Sequence, residues 1–485
     1  MSTTAPDSER IPWPTKLAYS LGNVCEVVLS RSFELFVLFF YTQVMGLSGT
    51  VAGAAILVAM VADAITDPLV GAYSDSLKSR WGRRHSLMFM AALPSAFFFC
   101  ALFYPPGGLS SLALGAWLAF TAIGLRVSVT FFHIPWSTQI AELSDEPKER
   151  VTLAVLRNIF GAVANFAVVA VAFDVFFVAS EEYPRGQENP ANYLPFAAAI
   201  GGSLILIILL SAAGTYRRIR SREDRFAPSP RFHVNALWPA WRDMIFKFKN
   251  FRCLFLGSLF ILTAFSMYNS MALYLGTYFW ALTGDEIKVW QFAVILGAAV
   301  TLLVGKPIVD RLPHPLLFAG GIGFGTLLFA FPLLMRLFGF VEVGTDAVMP
   351  LLRISNGAAG LALGVVMIVS AVIASETADD YQNRTGINAT ALLFGFVFLS
   401  MKTASGFGKL LAGVIVDVIA LPSAEDAALI TAAQLDALGW WSAITLLLLG
   451  VFGVWSFSGY RVVKVAATAD TPTPPLQAKT ESAAG

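Results

Sequence analysis

Apolar residues in this chain do not alternate with polar ones. They gather into about twelve long runs, separated by short stretches rich in charge, Gly and Pro. The runs begin near Leu17, Val51, Leu87, Ser110, Val151, Tyr193, Phe251, Val289, Leu316, Met349, Ile387 and Leu435. Each is close to the roughly 20 residues that cross a bilayer's hydrocarbon as a helix. The pattern predicts an all-α integral membrane protein of twelve transmembrane helices. Composition points the same way: of 485 residues, 56% are apolar and 13% charged, where a soluble globular chain carries about 25% charged residues. Mean hydropathy is +0.69. The first 16 residues lack the short apolar core and small-residue cleavage site of a signal peptide, so the first span is expected to stay in the protein. Cys25, Cys100 and Cys253 lie in or beside spans without metal-ligand spacing, which predicts buried thiols and no disulfide.

A net charge of +1 says little about partners, but its distribution says more. Lys and Arg crowd into alternate loops, and the opposite loops near 44–50, 105–110 and 421–434 contain none. By the positive-inside rule this places both termini in the cytoplasm, in keeping with an even number of spans. The expected setting is the plasma membrane, with lipid and a small-molecule solute as partners, no nucleic acid, and a monomeric state.

The chain also repeats itself. Glu142-x-x-Asp145-Glu146-x-x-x-Arg150 follows the fourth span, and Glu376-x-x-Asp379-Asp380-x-x-x-Arg384 follows the tenth with the same spacing, at an offset of 234. That offset also carries Gly71 onto Gly305, each followed by an Asp and then a basic residue. Six helices separate the copies, so the halves are parallel repeats about an axis along the membrane normal. That arrangement resembles the pseudo-symmetric pair of six-helix bundles of the major facilitator fold, which would place a substrate site between the halves at mid-depth. The expected division is an N-terminal bundle over 1–216, a linker over 217–250, a C-terminal bundle over 251–462 and a disordered tail over 463–485. Trp238, Trp241, Ile245 and Phe248, interleaved with Arg242, Lys247 and Lys249, make the linker either an interfacial helix or a partly disordered strap.

An ionisable group inside the membrane costs at least about 2.5 kcal/mol on insertion scales, so each one is a functional candidate. Asp63 and Asp67 in the second span are four residues apart and share a helix face. Two carboxylates that close in low dielectric call for a bound proton or a cation between them, unless arginines of neighbouring helices hold them as a structural pair. Pro68 removes a backbone N–H and frees the Ala64 carbonyl as a further oxygen for a hard cation such as sodium.

Here the residues match a family. D-A-I-T-D-P-L-V-G (63–71) with R-W-G-R-R (80–84) resembles the glycoside-pentoside-hexuronide:cation symporters of the major facilitator superfamily. F-H-I-P-W-S (132–137), the acidic loop with Arg157 downstream, and S-M-K-T-A (400–404) agree with it. The resemblance implies a sodium or proton site formed by Asp63, Asp67, Thr66 and Thr130, with sodium as the metal unless a proton takes its place. It implies that Lys402 communicates with this site and that Arg157 joins the substrate or charge network. No cofactor beyond the coupling ion is implied. Where sugar-transporting relatives hold sugar hydroxyls with carboxylates, this chain has His133 in the fourth span and Val27, beside Glu26, in the first. F-H-I-P-W-S is closer to lipid-transporting relatives, so a lysolipid or other amphiphile is the alternative to a sugar.

Glu26, Ser30 and Glu34 form a polar stripe on the first span, with Arg31 able to pair with Glu34. Glu26 and Arg31 are candidates for substrate contact or interhelical ion pairing, His133 for proton coupling or substrate binding, and Trp136 for stacking or packing. Arg126 and Arg353 fall deep in spans without an assigned role. Gly71, Asp75, Arg80, Arg83 and Arg84 resemble the superfamily's cytoplasmic loop signature and are read, with Glu142, Asp145, Arg150, Glu376, Asp379 and Arg384, as gating machinery. A sensor or scaffold without turnover is the alternative of another class. The chain has no HExxH, GxSxG or phosphate-binding glycine loop, so no enzyme is expected.

Overall fold

A computed structural model describes residues 10–77, 79–222, 242, 246–385 and 390–461. Among them run twelve long helices: α1 (Trp13–Ser32), α2 (Gly49–Ser76), α3 (His85–Leu102), α4 (Ser111–Leu143), α5 (Pro147–Val171), α6 (Tyr193–Arg222), α7 (Lys249–Tyr274), α8 (Gly284–Val309), α9 (His314–Leu337), α10 (Val348–Thr385), α11 (Thr390–Val418) and α12 (Ala432–Phe457). Helices dominate because lipid offers backbone groups no hydrogen bonds, so each span must satisfy its own. Pro68, Pro94, Pro135, Pro307 and Pro332 sit inside helices, as membrane spans tolerate. Ser48, Ser110, Thr283 and Thr431 cap the starts of α2, α4, α8 and α12. Most of the linker and the C-terminal tail lie outside the described residues. The thiols Cys25 and Cys253 are buried and Cys100 is partly so, all three free.

The repeat is visible in the backbone. The helix continued from α1, through a first π-helical turn at Phe33–Val37, and the helix continued from α7 both finish in a π-helical turn, Phe40–Val44 and Leu275–Phe279. In the first, Met45 N–H donates to Phe40 and Leu47 N–H to Tyr41; in the second, Trp280 donates to Leu275 and Leu282 to Gly276. Gly46 and Ala281 then occupy the same left-handed position, at φ 65 and 51. Glycine takes that conformation freely; alanine takes it against its own side chain.

Call the face where α1 begins and α12 ends the basic face, after the arginines of its loops, and the other the far face. One buried apolar cluster fills the first half and continues into the far ends of α7, α8, α9, α10, α11 and α12. The basic end of the second half has a separate cluster around Phe251, Phe318, Ile373 and Phe457. The halves are therefore joined at the far face and part toward the basic one. The far-face junction is tight. Asp417 of α11 accepts hydrogen bonds from Ser48 Oγ (2.6 Å), Gly49 N (2.7 Å) and Thr50 N (2.8 Å), placing a carboxylate on the N-terminus of α2. Lys288 of α8 pairs with Asp174 beyond α5. Tyr278 donates to Gln43 (3.0 Å) and Gln187 to Thr277 (2.9 Å). In the α5–α6 loop, Glu188 lies 3.5 Å from Arg185, and burial raises its pKa above the usual carboxylate value.

Where α2 crosses α11, a Cβ on Gly413 would lie 1.9 Å from the Gly49 carbonyl oxygen. Backbone cannot swing aside as a side chain can, and overpacking of this kind costs about 1–3 kcal/mol. Gly413→Ala is expected to shift the population toward a far-face-open form by about 5- to 150-fold. The alkylation rate of a cysteine placed at Thr42 measures this, and an unchanged rate would count against the crossing as the far-side seal.

Candidate functional site

Asp63 and Asp67 project from α2 into the seam with α4 and α11. Asp63 is 3% exposed, so its charge depends on what the protein supplies. Thr130 Oγ1 of α4 lies 3.0 Å from Asp63 Oδ1 and 3.0 Å from Asp67 Oδ1. A hydroxyl has one proton and cannot donate to both at once, so one carboxylate oxygen is left in need of a donor or a cation. From the other half, Lys402 Nζ approaches Asp63 Oδ2 at 2.8 Å and also pairs with Asp67 Oδ2. The acids are thus paired with Lys402 of the opposite bundle, and among the described residues no arginine pairs with either. Two carboxylates against one ammonium leave a net charge of −1 around Thr130. Thr66 is adjacent, but its hydroxyl donates to the backbone carbonyl of Asp63 (3.1 Å) and not to either carboxylate.

Among the described residues, Arg157, His133, Trp136, Glu26 and Arg31 make no hydrogen bond or ion pair with these acids. Trp136 is 1% exposed. Its indole N–H donates to the Tyr19 carbonyl (2.8 Å), and its ring stacks on Tyr19 at 5.3 Å. The bare Cα of Gly22 makes room for the indole, since an added Cβ would lie 2.1 Å from its nitrogen. Trp136 is therefore a packing residue here, not a free stacking platform. Arg157 lies over that ring at 5.8 Å, and its carbonyl accepts from Asn23 (2.9 Å). His133 approaches the indole at 5.6 Å. Glu26 accepts from Ser30 one turn on (2.9 Å).

Arg31 departs from expectation. It makes no ion pair with Glu34 among the described residues, and instead crosses the seam to the amide oxygens of Asn269 (2.8 Å) on α7 and Gln291 (2.7 Å) on α8. Arg353 is exposed near the start of α10 and not deep in a span. Lys409, which sequence reasoning missed, is 1% exposed. Its signal was a lone lysine in the apolar run G-K-L-L-A-G-V-I-V, open to the same cost argument that singled out Asp63.

At the basic face the expected gating residues assemble mainly within each half. Buried Glu142 accepts from Arg83 Nη2 (2.7 Å) and from Arg84 Nε (2.9 Å), and Arg84 also reaches Asp75 (3.1 Å). Asp145 pairs with Arg222, and Arg150 donates to the Ser144 carbonyl (2.7 Å). These contacts tie together the basic ends of α2, α3, α4 and α6. Arg80 is exposed. A Cβ on Gly71 would meet Ile134 at an ordinary 3.6 Å, so close helix approach does not require that glycine. In the second half Glu376 pairs with His314 (2.8 Å) and Arg384 with Asp380 (2.7 Å), while Asp379 is exposed. The two matching loops thus use different partners.

Two six-helix halves around a charged seam define a transporter of the major facilitator fold. A family model described as MFS/sugar transport protein matches residues 18–462, and the chain belongs to that family. It is 24% identical over 413 residues to the isoprimeverose transporter of Lactiplantibacillus pentosus, covering 84% of this chain and 80% of that one. It is 22% identical over 401 residues to the glucuronide carrier protein homolog of Escherichia coli, covering 83% and 82%. The fold is shared with the crystal structure of the D-xylose-proton symporter, at a TM-score of 0.59 and 13% identity over 92% of this chain and 96% of that one. The nucleoside transporter NupG gives a TM-score of 0.62 at 12% identity over 93% and 100%.

Proposed function

We propose that the protein is a cation-coupled symporter that moves a sugar or glycoside-like solute across the plasma membrane by alternating access. The observation that carries this reading is the single uncompensated negative charge at Asp63, Asp67, Thr130 and Lys402, at the seam of two halves that part toward one face. A site of charge −1 takes one monovalent cation, sodium or a proton. Because its parts come from both halves, its affinity changes as the halves rock, and a ligand moves a two-state equilibrium only through such a difference. The relatives named as isoprimeverose and glucuronide carriers support a sugar-type solute. The basic face is assigned to the cytoplasm, which makes the described form inward-facing and puts both termini inside. The chain acts as a monomer, with no catalytic step.

Proteoliposomes loaded under an imposed sodium gradient in one arm and a pH gradient in the other, and given labelled isoprimeverose, test the reading. The expected result is accumulation above the outside concentration in one arm, which also identifies the ion. Uptake that only equilibrates in both arms would overturn coupling.

A further inference from the structure

Beyond the acid pair toward the far face, the seam holds a second charged cluster of opposite sign. Arg31, Arg126 and Lys409 are 7%, 8% and 1% exposed. They come from α1, α4 and α11, so the cluster, like the acid pair with its Lys402, is shared between the halves. Arg126 Cζ lies 4.7 Å from the Phe33 ring centroid, and Lys409 Nζ lies 5.9 Å from the same ring. The carboxylate that acts on both Arg31 and Lys409 is Glu34. It comes within ion-pair distance of none of the three cations among the described residues. Three cations against one carboxylate leave a net charge of +2.

Neutral groups only partly satisfy these cations. Arg31 has its two amide oxygens, but its Nε has neither partner nor solvent. Lys409 has Ser405 Oγ at 2.8 Å and Ser266 Oγ at 3.5 Å. Arg126 has only the Phe33 ring: no hydrogen bond or ion pair reaches it among the described residues, and its Nε is sealed from solvent. An arginine does not lose its proton in a protein, so Arg126 cannot escape this cost by becoming neutral. A buried, unpaired guanidinium is costly. A ligand that brings hydrogen-bond acceptors and opposite charge to such a group offsets that cost.

We propose that Arg31, Arg126 and Lys409 form a binding site for the acid group of the transported solute, a carboxylate, sulfonate or phosphate. The assignment rests on the symporter reading above and names the charge of its substrate. Guanidinium groups suit oxyanions because their planar donor fork matches two oxygens at once. Arg126 stands one helical turn from Thr130, and Lys409 two turns from Lys402, about 10 Å along α11. An anion here and a cation at Asp63 and Asp67 therefore sit close enough to stabilise each other in low dielectric, and each offsets part of the other site's charge.

Equilibrium dialysis of the purified full chain against labelled glucuronate, glucose and sulfate tests the site. Glucuronate is expected to bind at least about tenfold more tightly than glucose, a difference of about 1.4 kcal/mol. Arg126→Ala brings glucuronate down to the level of glucose, and Arg126→Lys, which keeps the charge and guards against a folding defect, retains part of the preference. Equal binding of glucuronate and glucose by the wild type, or an undiminished preference in Arg126→Ala, would overturn the site. Sulfate binding as tightly as glucuronate would assign the cluster to a free inorganic anion and overturn its assignment to the solute. No ion gradient enters these measurements. Anion preference without gradient-driven uptake would sink only the symport reading, and gradient-driven uptake that treats glucuronate and glucose alike would sink only this site.

Discussion

Asp63→Asn is expected to abolish cation-driven accumulation while leaving the protein folded and in the membrane. The amide keeps the volume of the carboxyl and can still accept from Thr130, so packing around α2 changes little. The charge changes decisively. With one carboxylate left, Lys402 neutralises Asp67 and the site no longer has a surplus to attract a cation. Losing one carboxylate oxygen's contact to the cation costs about 1.5–3 kcal/mol, which corresponds to about a 12- to 150-fold loss of cation affinity. At 3% exposure Asp63 is screened too little by solvent to soften that figure much. Uptake by proteoliposomes with and without the gradient measures the effect. Accumulation should vanish while gradient-free exchange of solute continues, and wild-type accumulation by the variant would remove Asp63 from coupling.

The sequence showed the acids readily and their partners poorly, for a physical reason. A carboxylate in a run of apolar residues announces itself, because nothing in the surrounding lipid can solvate it. The four-residue spacing of Asp63 and Asp67 then fixes their common face, since helix geometry is local. Pairing across the seam depends on how two bundles dock, and no local pattern encodes that. Hence Lys402 rests on a family resemblance, and for Arg31 the sequence offers Glu34 on its own helix, substrate or an unspecified helix as partner but not the amide oxygens it meets on α7 and α8. Trp136 was ambiguous for a related reason: the room it fills is made by Gly22 on another helix, and a missing side chain leaves no signature. Lys409 is legible by the same cost argument as Asp63. The turn repeat at Gly46 and Ala281 was hidden because the matching residues share backbone conformation more than chemistry.

Lys402→Ala is expected to tighten cation binding and weaken transport together. In the described form Lys402 sits on both acids, where an arriving cation would otherwise rest. It reaches them from the second half, so rocking of the bundles carries the ammonium onto or away from the site. An ammonium that moves in as the halves part at the cytoplasmic face displaces the ion there, where release is needed. Without it the pair has a charge of −2 and no internal competitor. The side chains of Lys402 and Asp67 are 28% and 23% exposed, so the gain is discounted for solvent to about 1–2 kcal/mol. That corresponds to about a 5- to 30-fold tighter cation dissociation constant. Slow release then limits turnover, and the initial uptake rate should fall by about the same factor, because an ion held more tightly in the releasing state leaves more slowly. Lys402→Arg, which keeps a competing cation, should recover part of both quantities. Equilibrium binding of the coupling ion, measured beside initial uptake rates, separates this role from a structural one. Lost transport at unchanged cation affinity would leave Lys402 as a tie between α2 and α11 and nothing more.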